Sequence, residues 1–332
     1  MTTVQLIRIN RIADLDHLME VEQLEEELSG NVKWPFTNFH HVHTAAKDIK
    51  VAHDFLKPLG IHLEGYNHPG VFKVSENIDE DEFWARDYKF CRTGAAHMQF
   101  MSPHKPGRYQ NFLDTYGNRV YSLGFVVDDV DKAEAALLER GLTIRTKGRH
   151  EDGWGFTYFD TFDTLGVLLC IRQSAENEAT SQDNVSEGAF KTLHHVHIIV
   201  DDMEEVSNFL QGIGIEVRNY QHPGGFELLE GIDEDAFWKL GYKHAVCGDV
   251  HLQIMSPAEE DTGHKRFVAQ HKRRVFSLGF VVDNLDAEES FVKSKGLNVL
   301  MKGRHQDGWG FTYFDTFDQL GFNLCIRTNP RG

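Results

Sequence analysis

The sequence predicts an α+β protein built from four strand–helix–strands modules in two similar halves. Three observations predict it. The first is a long-range repeat. FHHVH at 39–43 returns as LHHVH at 193–197, YNHPG at 66–70 as YQHPG at 220–224, IDEDEFW at 78–84 as IDEDAFW at 232–238, and HMQFMSP at 97–103 as HLQIMSP at 251–257, all offset by 154 residues. Further on the offset is 155: VYSLGFVVDD at 120–129 pairs with VFSLGFVVDN at 275–284, and residues 148–172 match residues 303–327 at 21 of 25 positions. One residue inserted between 257 and 275 accounts for the change. The second observation is a weaker repeat inside each half. HHVHTAAKDIKVAHDFLKPLGIHL and YSLGFVVDDVDKAEAALLERGLTI both run strand, Asp, helix-like stretch, Gly, strand, and so do their counterparts in the second half. The third is a composition of 41% hydrophobic and 11% aromatic residues over 332 positions, enough to build cores at a length that suggests about two domains.

Taken in order, residues 1–36 precede the repeat and read as an amphipathic, Glu-rich helical arm, a candidate dimerisation element of a homodimer. The first domain spans 37–173, with modules at 37–103 and 118–173. A polar linker follows at 174–190. The second domain spans 191–328, with modules at 191–257 and 272–328. In each module the Asp after the opening strand is an expected helix N-cap and the later Gly an expected C-cap. The modules close on the strands HMQFMSP, VLLCIR, HLQIMSP and NLCIR. The NHPG and QHPG turns, with His68 and His222, lead into IDEDxFW, a rim segment whose acidic run reads as a solvated helix start over Phe83, Trp84, Phe237 and Trp238.

Charge and cysteine content narrow the function classes. Thirty-four Lys and Arg stand against 51 Asp and Glu, a formal net charge of −17. Such a surface repels phosphate backbones and anionic lipid, so neither nucleic acid nor a membrane is an expected partner. No apolar run is long enough to span a bilayer, the charged N-terminus lacks a signal core, and four cysteines without a CxxC do not make a disulfide framework. A cytoplasmic location is expected. Nineteen histidines against 8 prolines are the compositional oddity.

Strand alternation places several of these histidines on one covered face. Val196, Ile198 and Val200 belong under a helix, which sends His195 and His197 to the opposite side; His41 and His43 follow suit. Leu123, Phe125 and Val127 leave Ser122 and Gly124 opposite. His97, Gln99 and Met101 share a face, as do His251, Gln253 and Met255, while Asn323, Cys325 and Arg327 oppose Phe322, Leu324 and Ile326. Polar groups in that number are costly on a covered face unless they bind a ligand or one another.

The module plan and these strand registers resemble the vicinal oxygen chelate superfamily, which includes glyoxalase I, methylmalonyl-CoA epimerase and extradiol ring-cleavage dioxygenases. The resemblance covers about 37–173 and 191–328. It implies βαβββ modules paired into cupped mixed β-sheets with helices outside, around a divalent metal that two substrate oxygens chelate. Carried over by position, the first ligand falls on His41 and His195 and the second on Gln99 and Gln253, the amide resembling the epimerase branch. The third position holds Ser122 and Ser277, where the family commonly has His. The fourth, usually Glu, holds Cys170 and Cys325. The metal expectation is therefore His41, Gln99, His195 and Gln253, an incomplete quartet suited to Zn, Fe, Mn, Co or Ni more than to Mg. No nucleotide cofactor is implied.

Around these stand the other candidates. His97 and His251 are candidate acid–base groups. Cys170 and Cys325 are candidate reactive thiols, because Arg172 and Arg327 two residues on favour a thiolate, although buried cysteines are commonly apolar fillers. The GRHxDGWG segments read as Gly-hinged loops able to cover a ligand, with His150 and His305 as catalytic and Trp154 and Trp309 as binding candidates. His43, His197, Ser122, Ser277, Arg172 and Arg327 complete the expected binding surface; Tyr158, Tyr313, Asp160 and Asp315 read as structural. The expected function is metal-assisted enolate stabilisation with proton transfer on a small carbonyl, enol or aromatic metabolite, as in isomerases, epimerases and lyases. An extradiol-type dioxygenase and a non-catalytic small-molecule-binding protein are the alternatives.

Overall fold

The computed structural model describes residues 35–65, 71–174, 185–220, 226–231, 239–257 and 263–329. The expected N-terminal arm, save its last two residues, the NHPG and QHPG turns and the second IDEDxFW segment lie outside them. The first half runs β1 (Phe39–Ala45), α1 (Ile49–Leu56), β2 (Glu64–Gly65), β3 (Val74–Glu76), α2 (Glu80–Trp84), β4 (Arg86–Thr93), β5 (Ala96–Pro103), α3 (Arg108–Tyr116), β6 (Arg119–Val126), α4 (Val130–Glu139), β7 (Ile144–Arg149), β8 (Gly155–Phe159), α5 (Phe162–Leu165) and β9 (Leu168–Gln173). The second half repeats it with β10 (Leu193–Ile199), α6 (Met203–Gly212), β11 (Val217–Asn219), β12 (Phe226–Glu230), β13 (Gly241–Cys247), β14 (Val250–Ser256), α7 (Gly263–His271), β15 (Arg274–Val281), α8 (Leu285–Ser294), β16 (Val299–His305), β17 (Gly310–Phe314), α9 (Phe317–Leu320) and β18 (Asn323–Thr328).

The helices start where a short polar side chain follows a strand. Asp48, Asp129, Asp202 and Asn284 each accept a hydrogen bond from a backbone N–H of the first turn of α1, α4, α6 and α8. Each half forms one nine-stranded mixed sheet, ordered β2-β4-β5-β1-β6-β9-β8-β7-β3 and β11-β13-β14-β10-β15-β18-β17-β16-β12. The two modules of a half join through antiparallel β1/β6 or β10/β15, whereas β1/β5, β6/β9 and their counterparts are parallel.

The strand order also fixes the curvature. β2 and β3 sit on opposite edges, yet only residues 66–73 connect them. Eight residues reach at most about 29 Å, whereas a flat nine-stranded sheet spans about 38 Å. The sheet must therefore curl, and β3 leaves its own module to pair with β7 of the next. The convex faces of both sheets carry one continuous core, from Val42, Leu123 and Ile171 through Val196, Leu278 and Ile326. Each concave face has a separate cluster, around Met101 and Tyr121 in the first half and around Met255 and Phe276 in the second.

Reciprocal arginines stitch the halves together. Arg119 donates to the carbonyls of Gly166 and Arg273, and Arg274 to those of Asn118 and Gly321. Burial with no facing carboxylate pushes these guanidinium groups down to about 10 and about 9. Two residues differ from the expectation that 1–36 and 174–190 are arm and linker. Phe36 and Phe190 are fully buried, each edge-on to its half's β6 or β15 phenylalanine, Phe125 or Phe280, with centroids 5.0 and 5.3 Å apart. They stand 154 residues apart and begin the repeat.

Candidate functional site

The concave face of the second half opens into a cavity with an empty volume, mouth included, of about 670 Å³. β10 supplies His195 and His197, β13 Tyr242 and His244, β14 Gln253 and Met255, and β18 Cys325 and Arg327; His264 reaches in from α7. Among the described residues no Asp or Glu lies on its wall. Arg327 has no acidic partner among the described residues, so the cup carries one fixed positive charge within a strongly negative protein.

His195 is held by a glycine and a second histidine. Its ring lies flat against Gly279 of β15, so close that a Cβ there would sit 1.9 Å from Cε1; His41 lies on Gly124 in the same way. A glycine inside an otherwise apolar strand is the sequence trace of that approach. The ladder shifts register between Leu193 and His195, as it does between Phe39 and His41. The extra residue breaks the alternation and brings His194 beside His195, Nδ1 to Nδ1, at 3.1 Å; His40 and His41 meet at 2.8 Å.

In the first half this contact sets a tautomer. Arg172 only donates, and its Nη1 is 3.5 Å from His40 Nε2, which favours the tautomer in which that atom accepts. His40 Nδ1 then carries the hydrogen and donates to His41 Nδ1, leaving the hydrogen of His41 on Nε2. That Nε2 is buried without a partner, as is Nε2 of His195. In the first cup that atom is placed as a donor.

Burial, and next the nearby histidines and Arg172 or Arg327, hold His41 and His195 well below the ordinary imidazole range. His43 and His197 are pushed down to about 3, chiefly by burial. His251 and His264 are pushed down to about 4 by the same cause. The cup is thus lined with uncharged imidazoles. Three hydroxyls surround His197: Tyr242 at 3.3 Å from Nε2, and Tyr313 and Ser277 each at 3.4 Å from Nδ1.

This donor set does not fit a divalent metal. A metal would need the Nε2 lone pair of the opening histidine, and in the first cup the order Arg172–His40–His41 favours a hydrogen on that atom, which a metal would have to displace. The third position, Ser277, is turned to His197, and Ser122 is fully buried. The fourth holds thiols that burial pushes up to about 12, beyond what Arg172 or Arg327 offsets, and Sγ of Cys170 and Cys325 faces a backbone carbonyl at 3.6 Å. Gln99 accepts the Tyr88 hydroxyl. Among the described residues no three His, Cys, Asp or Glu side chains converge on a metal position.

Other candidates fall into place around this core. His251 stacks on His194, with centroids 4.7 Å apart, behind the cavity wall; His97 stacks on His40 at the same distance. The GRHxDGWG segments form hairpin turns in place of the expected covering loops, because His305 N bonds Trp309 O at 2.8 Å, His150 N bonds Trp154 O at 2.9 Å, and each indole stacks on its histidine. Trp309 lines the cavity while His305 does not. In the IDEDEFW segment Glu82 turns inward and accepts from Tyr109 N at 2.7 Å, at the start of α3. The sequence reading missed His194, His244 and His264 and left Tyr313 structural. Alternation along β13 puts Tyr242 and His244 on one face, a signal that was present in the sequence; His264, on a helix after the insertion, left none.

Similarity to known proteins follows the same outline. The family model described as Glyoxalase/Bleomycin resistance protein/Dioxygenase superfamily matches residues 40–158 and 194–313. No curated protein matches the chain. Among solved structures, a triple mutant of 4-hydroxymandelate synthase from Streptomyces coelicolor superposes with a TM-score of 0.60 at 12% identity, over 89% of this chain and 94% of that one. A xylose isomerase-like TIM barrel/4-hydroxyphenylpyruvate dioxygenase fusion protein gives 0.56 at 13% identity, over 89% of this chain and 49% of that one. At these identities the likeness is one of fold.

Proposed function

The chain belongs to the glyoxalase/bleomycin resistance protein/dioxygenase superfamily, and from that premise we propose that its second cup binds a small aromatic oxo acid and moves a proton at the carbon next to the carbonyl. One observation carries the reading: a single guanidinium, Arg327, faces uncharged imidazoles in an aromatic pocket with no carboxylate among its described lining residues. Such a wall repels a bare cation and attracts an anion. Arg327 takes the carboxylate. Nε2 of His195, assigned its hydrogen by analogy with His41, donates to the carbonyl oxygen and stabilises the enolate as charge develops there. Tyr242, Phe276 and Tyr313 enclose the ring. His264, facing the cavity from α7, takes the proton from carbon as a neutral imidazole and returns it from the imidazolium.

The test is deuterium exchange at C3 of phenylpyruvate in D2O, followed by proton NMR. Exchange well above buffer, lost in His264→Phe and in Arg327→Gln, supports the reading; no binding and no exchange overturn it. A binding protein without turnover is the second reading, favoured by imidazoles held as low as about 3 to 4, which are weak bases. Tight binding without exchange selects it.

A further inference from the structure

The two halves share the imidazoles of their opening strands, whereas His244 and His264 stand where the first half has Phe90 and Tyr109. On the cup floor the first half has Arg86, Tyr109 and Tyr121 where the second has Leu240, His264 and Phe276, and Glu82 aligns in sequence with Ala236. The substitutions fall on positions that touch one another. Arg86 lies over the rings of Phe83 and Tyr109, its guanidinium carbon 3.8 and 4.8 Å from their centroids. Its Nε donates to Phe83 O at 2.8 Å and its Nη1 lies 3.4 Å from Sδ of Met101, a residue with no exposed surface. Tyr109 is fixed in turn by the Glu82 carboxylate on its backbone N–H, with Gly107 giving that carboxylate room where a Cβ would come within 2.4 Å. In the second half the methionine equivalent to Met101, Met255, is buried to the same extent, at 1% exposure, but borders the cavity beside Leu240 and His264.

We propose that Glu82, Arg86 and Tyr109 form a latch that seals the first cup, so that the chain takes one ligand, in the second half, and position 86/240 decides which cup is open. The latch works by filling space, since the donors of Arg86 named above are spent on protein atoms and its plane is sandwiched by rings. The first cup keeps His41, His43, Gln99 and Arg172, equivalent to the groups that line the second. Removing the latch therefore uncovers a second site of the same class. The identity of the ligand rests on the reading above; the seal does not.

The test uses diethyl pyrocarbonate, which carbethoxylates unprotonated imidazole, with peptide mass spectrometry at pH 7 on the full chain. His43 and His197 occupy equivalent positions, each paired across the ladders with a glutamine and a serine, and both are uncharged at that pH. Their labelling rates therefore compare access. Both residues are 1% exposed, but His197 borders the cavity, so in the native protein it is expected to react about tenfold faster than His43. Arg86→Leu should bring the two rates together, and Tyr109→His should do so in part. Equal rates in the native protein, or an Arg86→Leu variant with native far-UV CD and an unchanged ratio, would overturn the latch. Phenylpyruvate plays no part, so a wrong ligand class leaves this result intact.

Discussion

Replacing Gly279 by Ala tests the placement of His195 directly. The added Cβ would lie 1.9 Å from Cε1, 2.2 Å from Nε2 and 2.5 Å from Nδ1 of the imidazole. Carbon atoms meet comfortably at about 3.5–4.0 Å, so the ring must withdraw by more than 1 Å or the strands must part. The ring cannot withdraw freely, because its Nδ1 is tied to His194 at 3.1 Å and its surroundings are packed. Overpacking of this kind costs about 1–3 kcal/mol. Gly124→Ala serves as the internal control, with a Cβ 2.0 Å from Cε1 of His41. Both variants should lose that stability in urea melts, but only Gly279→Ala should lose phenylpyruvate affinity, by about tenfold or more for each 1.4 kcal/mol of misplaced donor. Equal affinity in the native protein and Gly279→Ala would refute the role given to His195.

Further outcomes follow from the same geometry. His43 and His197 titrate near 3 in the folded protein and near 6.5 when unfolded, so the unfolded chain binds the extra protons in that window. Stability should be complete above about pH 6.5 and fall below it, by up to about 1.4 kcal/mol per pH unit for each group, in urea melts from pH 7.5 to 4.5; a flat profile would contradict the burial of neutral imidazoles. Glu289 sits in the second half with Arg304 Nη2 at 2.5 Å, Lys302 Nζ at 3.2 Å and Thr312 Oγ1 at 2.9 Å. Glu289→Ala should cost about 1.5–3 kcal/mol through its lost charge-assisted hydrogen bonds, because Asp286 and Glu230 still pair Arg304 and Lys302, and a loss under about 0.5 kcal/mol would show the network to be solvated. Trp309 lines the cavity, so ligand should quench tryptophan fluorescence, and Trp309→Phe should remove most of that signal while Trp154→Phe leaves it.

Much of the architecture was legible because duplication marks equivalent positions and alternation marks faces. Asp48, Asp129, Asp202 and Asn284 announced their helices, and Val196 and Ile198 announced which side of β10 faces the core. Alternation failed at one residue, His194, because a bulge inserts it, and a bulge depends on the partner strand. The pairing of β3 with β7 was equally hidden, since it joins a short segment to another module. At the site, reading by family position directed attention to Cys170 and Cys325, yet desolvation outweighs the arginine two residues away and keeps both thiols protonated. The asymmetry between cups was written in the sequence as Glu82/Ala236 and Arg86/Leu240, but only the contacts of Arg86 show that these positions form one unit.

The central claim is that Arg327 and neutral imidazoles, with no metal ion, hold an aromatic oxo acid in the second cup. Calorimetric titration of chelator-treated protein with phenylpyruvate tests it most directly. The account predicts one ligand per chain, unchanged by chelator or by added zinc or iron and lost in Arg327→Gln. Binding that appears only when a divalent metal is restored, or that survives in Arg327→Gln, would contradict it.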